Sequence, residues 1–497
     1  MSQELRGALT PRQTLRGDIS GSAAAMAFAR EAEGYALGTQ EGVPVESGSP
    51  YYENNSKYYS EQAEDFAEDA QESAESVAAS AAQIETNRED IVDLKSAFAN
   101  HETRIVLLEN IEKDRGLTKE EIVEIVTSGQ ADKYFQVGEQ IACTWNDGTN
   151  EYDFPWDIVA IRDVVNENDH VVPGMILQAH WLVPGVQFDS SEAIYVVPEG
   201  ETLPAGTYYI TMGVNWGTHV VSGKSYSFTT TQTLQAGGQI LFSRSGSNRY
   251  TWGAPDNNPS TWVCYTYASN ADDTPLETLT LTEGANGTSL GSVNTSTKYS
   301  DSGLNNLQRA AYGYNRDKMS AIRQFLNSDE AAGAWWSPQN PFDRTPQQLA
   351  SMRGFMAGLP ADFLGMINKV KITTALNTVS DSQIGTSESY YDKFFLPSLE
   401  EEYCVPQLSG VEGAYWPYWK DRLGLDSPQA SGSANANPNH IRYLASNHAS
   451  AANVRLRSAY RGYASYTWYV YSTGLVDATN AAYALASAPA CVICSSQ

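Results

Sequence analysis

Val454-Arg-Leu-Arg-Ser458 and Thr467-Trp-Tyr-Val-Tyr471 are two segments near the C-terminus in which apolar and polar side chains alternate. A period of two residues is typical of a half-buried β-strand, whose successive side chains point to opposite faces. If Trp468 faces the core, Tyr469 and Tyr471 are predicted to face outward. The two segments therefore predict a small sheet with a tyrosine-bearing outer face.

A turn and a run of tyrosines surround the second strand. Ser472-Thr-Gly474 predicts a turn that leads the chain toward Val476 and closes a hairpin. Six tyrosines lie between residues 460 and 483 among small polar residues, and only Arg461 and Asp477 are charged there. This composition is typical of antibody paratopes, because tyrosine gives a large amphipathic contact area at low entropic cost. The segment predicts a binding surface, with the alternative that about half of these tyrosines cover a small core.

The same region has an unusual amino-acid usage. Residues 439–496 contain no Lys, Glu, Gln or Met, although Lys and Glu are among the commonest residues in proteins. None of these four residues has a codon that ends in a pyrimidine, whereas Tyr, Ser, Thr and Asp are reached from an Asn codon by replacing one or both of its adenines. This usage points to a variable binding surface, and chance composition is the alternative.

A helical segment without Gly or Pro extends from about Asn54 to Lys113. Within it, positions in steps of three and four form the a/d pattern of a coiled coil. These predicted oligomerisation positions are Ile84, Asn87, Ile91, Leu94, Phe98, His101, Ile105 and Leu108. A thinner series continues upstream in the same register as Ala63, Phe66, Ala70, Ser73, Val77 and Ser80. The pattern predicts that two or more chains share this helix, and it leaves dimer and trimer open.

The pattern of apolar and turn-forming residues changes after the helical segment. Leu117 to Thr127 predicts one short helix, and beyond about Gln130 short apolar alternations separated by turn residues predict a β-rich domain. Helical spacing returns at Gly303 to Asn327, Gln347 to Leu359 and Pro360 to Ile367. The region from about residue 300 onward is therefore predicted to be α+β.

Charge and cysteine content exclude several classes of protein. The 497 residues include 59 acidic and 32 basic residues, and the resulting charge of −27 repels nucleic acid and anionic lipid. Five scattered cysteines are too few for a disulfide scaffold of this size. The chain has no run of about 18 apolar residues, and its N-terminus has no apolar signal-peptide core. We therefore expect synthesis in a reducing compartment, no membrane insertion and no nucleic-acid partner.

Few catalytic or metal-binding patterns occur. Gly287-Thr-Ser-Leu-Gly291 fits GxSxG, but poor helix formers follow it, so a turn between strands is favoured over a nucleophilic Ser289. Cys491-Val-Ile-Cys494 stands alone, so a final buried strand is favoured over a zinc site. The acidic stretch Asp163 to Asp169 lacks the spacing of a calcium loop. We expect no catalytic residue, no cofactor and no bound metal.

A series of motifs in the last 200 or so residues carries a family resemblance. In chain order they are Tyr312-Gly-Tyr-Asn-Arg316, Ala321-Ile-Arg-Gln-Phe-Leu-Asn-Ser328, Trp335-Trp336, Asp392-Lys-Phe-Phe-Leu-Pro-Ser-Leu-Glu-Glu401, Val454-Arg-Leu-Arg-Ser458 and Ala488-Pro-Ala-Cys-Val-Ile493. The series resembles the C-type-lectin-fold domains of gut phage and prophage proteins, which include the variable proteins of diversity-generating retroelements. One departure is that this chain reads Val454-Arg-Leu-Arg where the family commonly has an aromatic residue before Leu-Arg-Ser. The helical region with Gly38 to Gln62 also looks like phage tail-fibre attachment regions, which are trimeric.

The resemblance implies a multidomain fold class. Its parts are an N-terminal attachment segment at 1–53, a trimeric α-helical coiled coil at 54–115, a short helix and β-rich middle domain at 116–299, and an α+β C-type-lectin-like ligand-binding domain at 300–497. Carried over by position, the binding surface comprises Tyr460, Tyr463, Ser465, Tyr466, Tyr469, Tyr471, Leu475, Asp477, Thr479, Asn480 and Tyr483, joined by Asn447, His448 and Asn453.

The resemblance also implies a function without catalysis. The chain is expected to be a homotrimeric tail-fibre or spike subunit of the phage virion, made in the bacterial cytoplasm, which binds a host cell-surface protein or glycan. Its N-terminus would contact a phage tail or baseplate protein. Two alternatives stay open: a virion-associated polysaccharide depolymerase with acid chemistry in residues 130–300, and a purely structural fibre protein.

Overall fold

A computed structural model describes most of the C-terminal four fifths of the chain and parts of the N-terminal fifth. The described residues are 39–40, 43–44, 69–84, 86–87, 117–213, 222–244, 262–295 and 302–497. The chain forms two compact units, Met1–Val106 and Leu107–Gln497.

In the first unit, the described part of the long helical segment agrees with the predicted secondary structure. Residues 69–84 and 86–87 are helical, and every side chain described there is exposed. Val77 and Ile84, two predicted a positions one heptad apart, are 59% and 67% exposed. Gln83 donates a hydrogen bond to Asn87 Oδ1 at 3.1 Å. The other predicted oligomerisation positions, Ile91, Leu94, Phe98, His101, Ile105 and Leu108, lie outside the described residues.

Strands dominate the described part of the chain. In the N-terminal part they are β1 (Thr39–Gln40), β2 (Val43–Pro44), β3 (Gln140–Ile141), β4 (Thr144–Asn146), β5 (Glu151–Asp153), β6 (Trp156–Val165), β7 (Val171–Ala179), β8 (Val183–Gln187) and β9 (Tyr195–Val196). They continue with β10 (Gly206–Met212), β11 (Ser225–Thr230), β12 (Gln239–Arg244), β13 (Trp262–Tyr267), β14 (Glu277–Thr280), β15 (Thr282–Glu283) and β16 (Thr288–Val293). The last group is β17 (Val370–Ala375), β18 (Ser387–Asp392), β19 (Phe394–Phe395), β20 (Tyr443–Leu444), β21 (Asn447–Ala451), β22 (Val454–Ala459), β23 (Tyr466–Val470), β24 (Val476–Asn480), β25 (Ala484–Ser487) and β26 (Ala490–Cys494).

Short helices connect and cover these strands. The α-helices of the second unit are α1 (Lys119–Thr127), α2 (Ala131–Tyr134), α3 (Leu307–Tyr312), α4 (Ala321–Leu326), α5 (Ala361–Met366) and α6 (Pro417–Leu423). Single 3-10 turns occur at Asp317–Met319, Phe355–Gly358, Ser433–Asn435 and Pro438–His440.

Two of these helices show how local sequence sets their ends. Helix α1 confirms the short helix predicted after the coil, and Thr118 and Glu121 form a capping box at its N-terminus. The helical stretch predicted from Gly303 to Asn327 is broken after α3, because Gly313 adopts φ +81°. A Cβ at this position would lie 2.6 Å from the carbonyl oxygen of Asp189, so glycine is required there.

The central sheet of the second unit combines strands from both ends of that unit. Its order is β19–β26–β7–β6–β3, and all neighbours are antiparallel. Alternate residues enter two cores: Leu177 and Cys491 pack with α1, α4 and α5, whereas Ile176 and Cys494 pack with β17, β18 and α6. Both faces of the sheet are therefore buried, which explains why β26 is apolar along its whole length.

A second five-stranded sheet continues from the first. Its order is β24–β23–β22–β25–β8, with β22 and β25 parallel. Strands β7 and β26 pair in the central sheet, and the strands next to them in sequence, β8 and β25, pair in the second sheet. One side of this sheet buries an apolar cluster that includes Val454, Leu456, Trp468, Val470 and Val476.

The described residues between about 193 and 306 form a β-sandwich. Two four-stranded sheets, in the orders β15–β11–β10–β16 and β14–β13–β12–β9, contribute side chains to one core. Helix α3 covers this core through Leu307, Ala310 and Ala311. The β-rich middle of the chain that the sequence predicted is thus confirmed.

The predicted division at residues 299 and 300 does not coincide with a break in the sheets. Strands β6, β7 and β8 precede the sandwich in sequence, but they pair with one another or with β25 and β26 near the C-terminus. The sandwich is consequently an insertion within a larger α+β body. Within the described residues, no helix is long and apolar enough to cross a membrane.

Candidate ligand-binding face

The strands that carry the predicted binding residues form a meander at one edge of the second sheet. Strand β23 pairs with β24 in antiparallel register, with Tyr466 opposite Asn480 and Val470 opposite Val476. The predicted hairpin is confirmed, and its turn is closed by a hydrogen bond of 2.7 Å from the Tyr471 N–H to the Leu475 carbonyl. Gly474 occupies the turn with φ +78°.

Three tyrosines form a stack of rings beside this meander, which we call the tyrosine stack: Tyr460, Tyr463 and Tyr466. The rings of Tyr463 and Tyr466 are nearly parallel, with centroids 4.8 Å apart. Tyr460 lies 5.4 Å from Tyr463 and 5.4 Å from Trp468, so the stack rests on the apolar cluster of the sheet. All three rings are half-buried. Burial, and then the neighbouring phenols of Tyr463 and Tyr483, raise the pKa of Tyr466.

A second pair of tyrosines lies on the opposite side of β23. Tyr469 and Tyr471 alternate with Trp468 and Val470, and their ring centroids are 5.2 Å apart. Tyr471 is 38% exposed, as predicted, but Tyr469 is only 6% exposed. The expectation that both rings face solvent is wrong for Tyr469, because Tyr471 packs on it and buried Arg455 lies opposite it in the sheet. The predicted single face is thus divided between two sides of one strand.

The other predicted residues differ in their accessibility. Ser465 and Asn480 are buried, Leu475 and Thr479 are half-buried, and Asp477 is exposed. Tyr483 is 36% exposed on the connection between β24 and β25. Ser465 and Asn480 therefore cannot contact a ligand without a rearrangement of this region.

The three residues upstream of β22 belong to different surroundings. Asn453 accepts a hydrogen bond of 2.9 Å from the Ser472 N–H, so its side chain fixes the hairpin turn. Asn447 closes a local turn by a hydrogen bond of 2.8 Å to Ser450. His448 stacks on Trp181, with ring centroids 3.8 Å apart and planes at 7°. Asn447 and His448 are exposed on the β20–β21 hairpin.

A buried asparagine fixes the main chain of the loop that carries the tyrosine stack. Asn315 Nδ2 donates to the carbonyl oxygens of Tyr463 and Tyr466, both at 2.8 Å, and to that of Tyr460 at 3.4 Å. Asn315 is fully buried, and its backbone N–H donates to the Ala464 carbonyl at 3.1 Å. Its Oδ1 accepts from Asn377 Nδ2 at 2.9 Å, which sets the orientation of the amide.

Further contacts fix the same loop from other directions. The Ala464 N–H donates to Gln308 Oε1 at 2.5 Å. The Arg461 carbonyl accepts from both the N–H and the hydroxyl of Thr378, at 2.9 and 3.0 Å. In return, Arg461 Nε donates to the Leu376 carbonyl at 3.0 Å. The loop is therefore attached to three separate segments of the body.

A buried arginine has the corresponding role at the end of β24. Arg455 Nη2 donates to the carbonyl oxygens of Asn480 at 3.0 Å and Tyr483 at 2.8 Å, and Nη1 donates to the Thr467 hydroxyl. These acceptors are neutral, and burial lowers the pKa of Arg455 to about 9. Arg455 thus orders the backbone around Tyr483 although its guanidinium is costly to bury.

Sequence reasoning missed these supporting residues as members of the site. Asn315 and Arg455 were noted only as parts of the motifs Tyr312-Gly-Tyr-Asn-Arg316 and Val454-Arg-Leu-Arg-Ser458. The signals that could have identified them are an Asn next to Tyr314 and an Arg between Val454 and Leu456, each a polar residue embedded in an otherwise apolar part of its motif. Gln308 and Thr378, which bind the loop, and Asn377, which orients Asn315, carried no comparable signal, because their contacts arise only through the tertiary fold.

The residues considered for catalysis or metal binding, and Trp335 of the family motifs, have structural roles in the fold. Ser289 lies within strand β16, and its hydroxyl accepts from the Gly291 N–H at 3.2 Å. Cys491 and Cys494 are buried in β26, as predicted, and enter the two different cores of the central sheet. Trp335 is core, with its Nε1 donating to the Met352 carbonyl at 2.8 Å. Asp169 lies in the β6–β7 turn, where it pairs with Lys371 at 2.9 Å.

Comparison with known proteins identifies one related domain. Residues 294–495 match the model of a family described as a domain of unknown function, DUF6273. No curated protein and no solved structure matches the chain. The matched range contains the tyrosine stack, Asn315 and Arg455, but it does not contain strands β6, β7 and β8, which complete the two sheets.

Proposed function

We propose that this chain is a receptor-binding subunit of a bacteriophage tail fibre, and that the accessible tyrosines between Tyr460 and Tyr483 contact a ligand on the host cell surface. The ligand would be a protein or a glycan. The C-terminal body would be a C-type-lectin-like scaffold, and the N-terminal helix would associate as a homotrimer that attaches to the phage tail.

The observation that carries this proposal concerns the loop that carries the tyrosine stack, residues 460–466, which we call the tyrosine loop. Its main chain is fixed by hydrogen bonds from the body. Asn315, Gln308, Thr378 and Arg455 bind main-chain atoms of the loop and of the following connection, not the tyrosine side chains. A loop fixed through its main chain keeps its shape when its side chains change. This property suits a surface that must vary while the scaffold stays constant, and it lowers the ordering entropy that binding costs.

The chemistry of the rings also favours binding over catalysis. Half-exposed tyrosines provide rigid apolar area together with a hydroxyl, a combination that is common at recognition surfaces. Arg461 and Asp477 are the charged residues among residues 460–483, so the surface offers few groups for acid–base chemistry.

The scaffold provides further support. Strand β26, near the C-terminus, lies inside the central sheet and pairs with β7, which in turn pairs with β6. Strands from the beginning and the end of the body are therefore neighbours. The family-like motifs supply buried framework residues such as Asn315, Arg455 and Arg457, and not the exposed tyrosines. This division between framework and surface agrees with the proposed variable surface on a fixed fold.

The exposed apolar positions of the N-terminal helix support its association. Val77 and Ile84 lie on the predicted a positions, and both are large apolar side chains left exposed by a single chain. Light scattering coupled to size exclusion should give a mass three times that of the 54.3 kDa chain. A monomer at micromolar concentration would contradict the trimer but would leave the binding surface untouched.

Binding is tested with labelled full-length chain on a panel of bacterial isolates, read by flow cytometry. The variant Y463A/Y483A removes two rings that neighbour Tyr466 of the tyrosine stack. The variant Y471A removes the exposed ring on the opposite side of β23. The matched control is Y134A/Y415A, whose tyrosines are 49% and 46% exposed elsewhere. We expect at least one of the first two variants to lose binding about tenfold or more, because interface tyrosines often contribute 1.4 kcal/mol or more, or about a factor of ten in affinity.

Three results would argue against the proposal. Equal loss of binding in Y134A/Y415A would assign adhesion to another surface. A melting temperature several degrees lower in Y463A/Y483A or Y471A would assign the rings to the core. Release of reducing ends from capsular polysaccharide by the purified chain would favour the depolymerase alternative.

The variable nature of the surface has a separate test in the gene. A near-copy of the codons for residues 440–493, located beside a reverse-transcriptase gene, is the arrangement expected of a diversity-generating retroelement. Its absence from the flanking DNA would remove diversification from the proposal, while the binding function would still be judged by the tyrosine variants.

A further inference from the structure

A group of three buried carboxylates lies at the junction between the sandwich and the rest of the α+β body. Asp189 and Glu192 lie between β8 and β9, and Asp343 comes from the loop that follows α4. One side-chain oxygen of each residue lies within 4.8 Å of the others. The three residues are 3%, 1% and 2% exposed.

Among the described residues, one arginine neutralises part of the negative charge of this group. Arg309 binds Glu192 through two hydrogen bonds of 2.7 Å and so neutralises one of the three carboxylates. Within the part of the chain that the structure describes, Arg309 is the cationic side chain that pairs with the group. Asn305 and Asn340 donate amide hydrogens to it but add no charge. If all three carboxyl groups were ionised, two negative charges would therefore remain in a site without access to solvent.

The observation that points to a ligand at this group is the environment of the Asp189 carboxylate. Its Oδ2 atom is buried and has no hydrogen-bond partner, whereas Glu192 and Asp343 accept hydrogen bonds from the surrounding side chains and main chain. Burying an unpartnered carboxylate oxygen is costly, and such atoms are rare in folded proteins. Burial, and then the charge of Asp343, raise the pKa of Asp189 well above its usual value.

We propose that Asp189, Glu192 and Asp343 bind a hard divalent cation, and that Ca²⁺ is the best fit. All three donors are carboxylate oxygens, which Ca²⁺ and Mg²⁺ prefer and softer metals do not. Ligand oxygens lie about 2.3–2.6 Å from Ca²⁺ in an adaptable geometry, so oxygens within 4.8 Å of one another can share this ion. Mg²⁺ needs shorter distances of about 2.0–2.1 Å and a stricter octahedron.

The position of the group gives the cation a structural role. The Glu192 N–H donates to the Arg309 carbonyl at 3.3 Å, which connects the group to helix α3. The Asp189 N–H donates to the Ala481 carbonyl at 3.2 Å, directly after strand β24. A cation bound here stabilises the junction on which helix α3 and the connection that carries Tyr483 both rest.

Calorimetry on the full-length chain, stripped of metal with EDTA and returned to buffer with 100 mM KCl, tests the proposal with CaCl₂ as the titrant. We expect one saturable site per chain that is lost in D189N and retained in D329N, a control that removes one charge from an exposed aspartate. The melting temperature of wild type should rise by about 3–5 °C at a Ca²⁺ concentration 100-fold above Kd.

The variant D189N also separates a missing site from a misfolded chain. It keeps the shape of the side chain and removes one of the crowded charges, so its melting temperature in EDTA should be no lower than that of wild type. The proposal is overturned if wild type shows no saturable site and no shift in melting temperature. It is also overturned if D189N and D343N still respond to Ca²⁺ like D329N, because the sites measured would then lie elsewhere on this acidic chain.

Discussion

Asn315 is a single buried side chain on which the shape of the tyrosine loop depends. Its amide donates to three carbonyl oxygens of that loop, and its position is set by Asn377. Carbonyls that lose such a donor in a buried site cost on the order of 1–3 kcal/mol each, because water cannot replace it. The conformation of the loop thus depends on the hydrogen bonds that Asn315 donates to its main chain.

The variant N315D tests this dependence with almost no change in shape. A carboxylate cannot donate to the three carbonyls and repels them, so the free energy of unfolding should fall by about 3 kcal/mol or more. Urea unfolding measures the loss, and hydrogen exchange should become faster at the amides of residues 460–466. The same change at exposed Asn439 should alter stability by less than about 0.5 kcal/mol. Equal exchange rates in N315D and N439D would mean that the loop is fixed by other contacts.

The five cysteines give a second prediction at the residue scale. All five are free and buried, and burial raises the pKa of Cys494 to about 11 and that of Cys143 to about 12. Because the thiolate is the reactive form, the folded chain should react with less than about one equivalent of a disulfide reagent within minutes at pH 8. The chain in denaturant should react with all five. Two rapidly reacting thiols in the folded chain would instead indicate a reactive pair at Cys491 and Cys494.

At the scale of elements, the β23–β24 hairpin is fixed to the segment before β20. Gly474 adopts φ +78°, and a Cβ there would lie 1.9 Å from the carbonyl oxygen of Asn437. The Gly474 carbonyl accepts from Gln429 Nε2 at 2.8 Å. The position of Tyr469 and Tyr471 therefore depends on close backbone contact between the hairpin and the segment before β20, and not on the turn alone.

The variant G474A should lower the free energy of unfolding by about 3 kcal/mol, because it adds both left-handed backbone strain and a backbone clash. Gly424 is a matched control: its φ is +62°, and a Cβ there would meet no atom within 4 Å. G424A should cost only about 1 kcal/mol, the strain term alone. Urea denaturation of both variants separates the two contributions. Equal losses would show that the contact with Asn437 yields without cost.

At the scale of the whole molecule, the central sheet joins segments that are distant in sequence. Strand β26 pairs with β19 on one side and with β7 on the other, so both of its edges are occupied. Without residues 117–293, β26 would lose its partner β7, and Cys491 and Ile493 would lose the core that α1 and β7 provide. The matched family range is therefore not expected to be an independent folding unit.

A pair of truncated chains tests this expectation. The chain of residues 117–497 should unfold cooperatively in urea, with a near-ultraviolet circular dichroism spectrum that reports ordered aromatic residues. The chain of residues 294–495 should show no cooperative transition, because an unpaired apolar strand edge and an exposed core favour aggregation. A folded 294–495 fragment would mean that β6, β7 and β8 are accessory to this body.

The sequence alone determined the features that depend on neighbouring residues. Alternation in Thr467–Tyr471 predicted a strand, Ser472–Gly474 predicted the turn, and Cys491–Cys494 predicted a buried strand; each of these is observed. Residues close in the chain set the local backbone preferences and the period of apolar side chains, and at these three segments the tertiary contacts agree with those signals. The composition of residues 460–483 also identified the surface on which the functional proposal rests.

Only the tertiary structure decided what is buried and what lies together. Tyr469 is covered because Tyr471 and Arg455 pack around it, although alternation alone placed it outside. Asn315 reaches the tyrosine loop, and Asp189 meets Asp343, across long stretches of chain whose spacing carries no signal. Burial and charge pairing arise from contacts between distant segments, so no pattern of neighbouring residues could contain them.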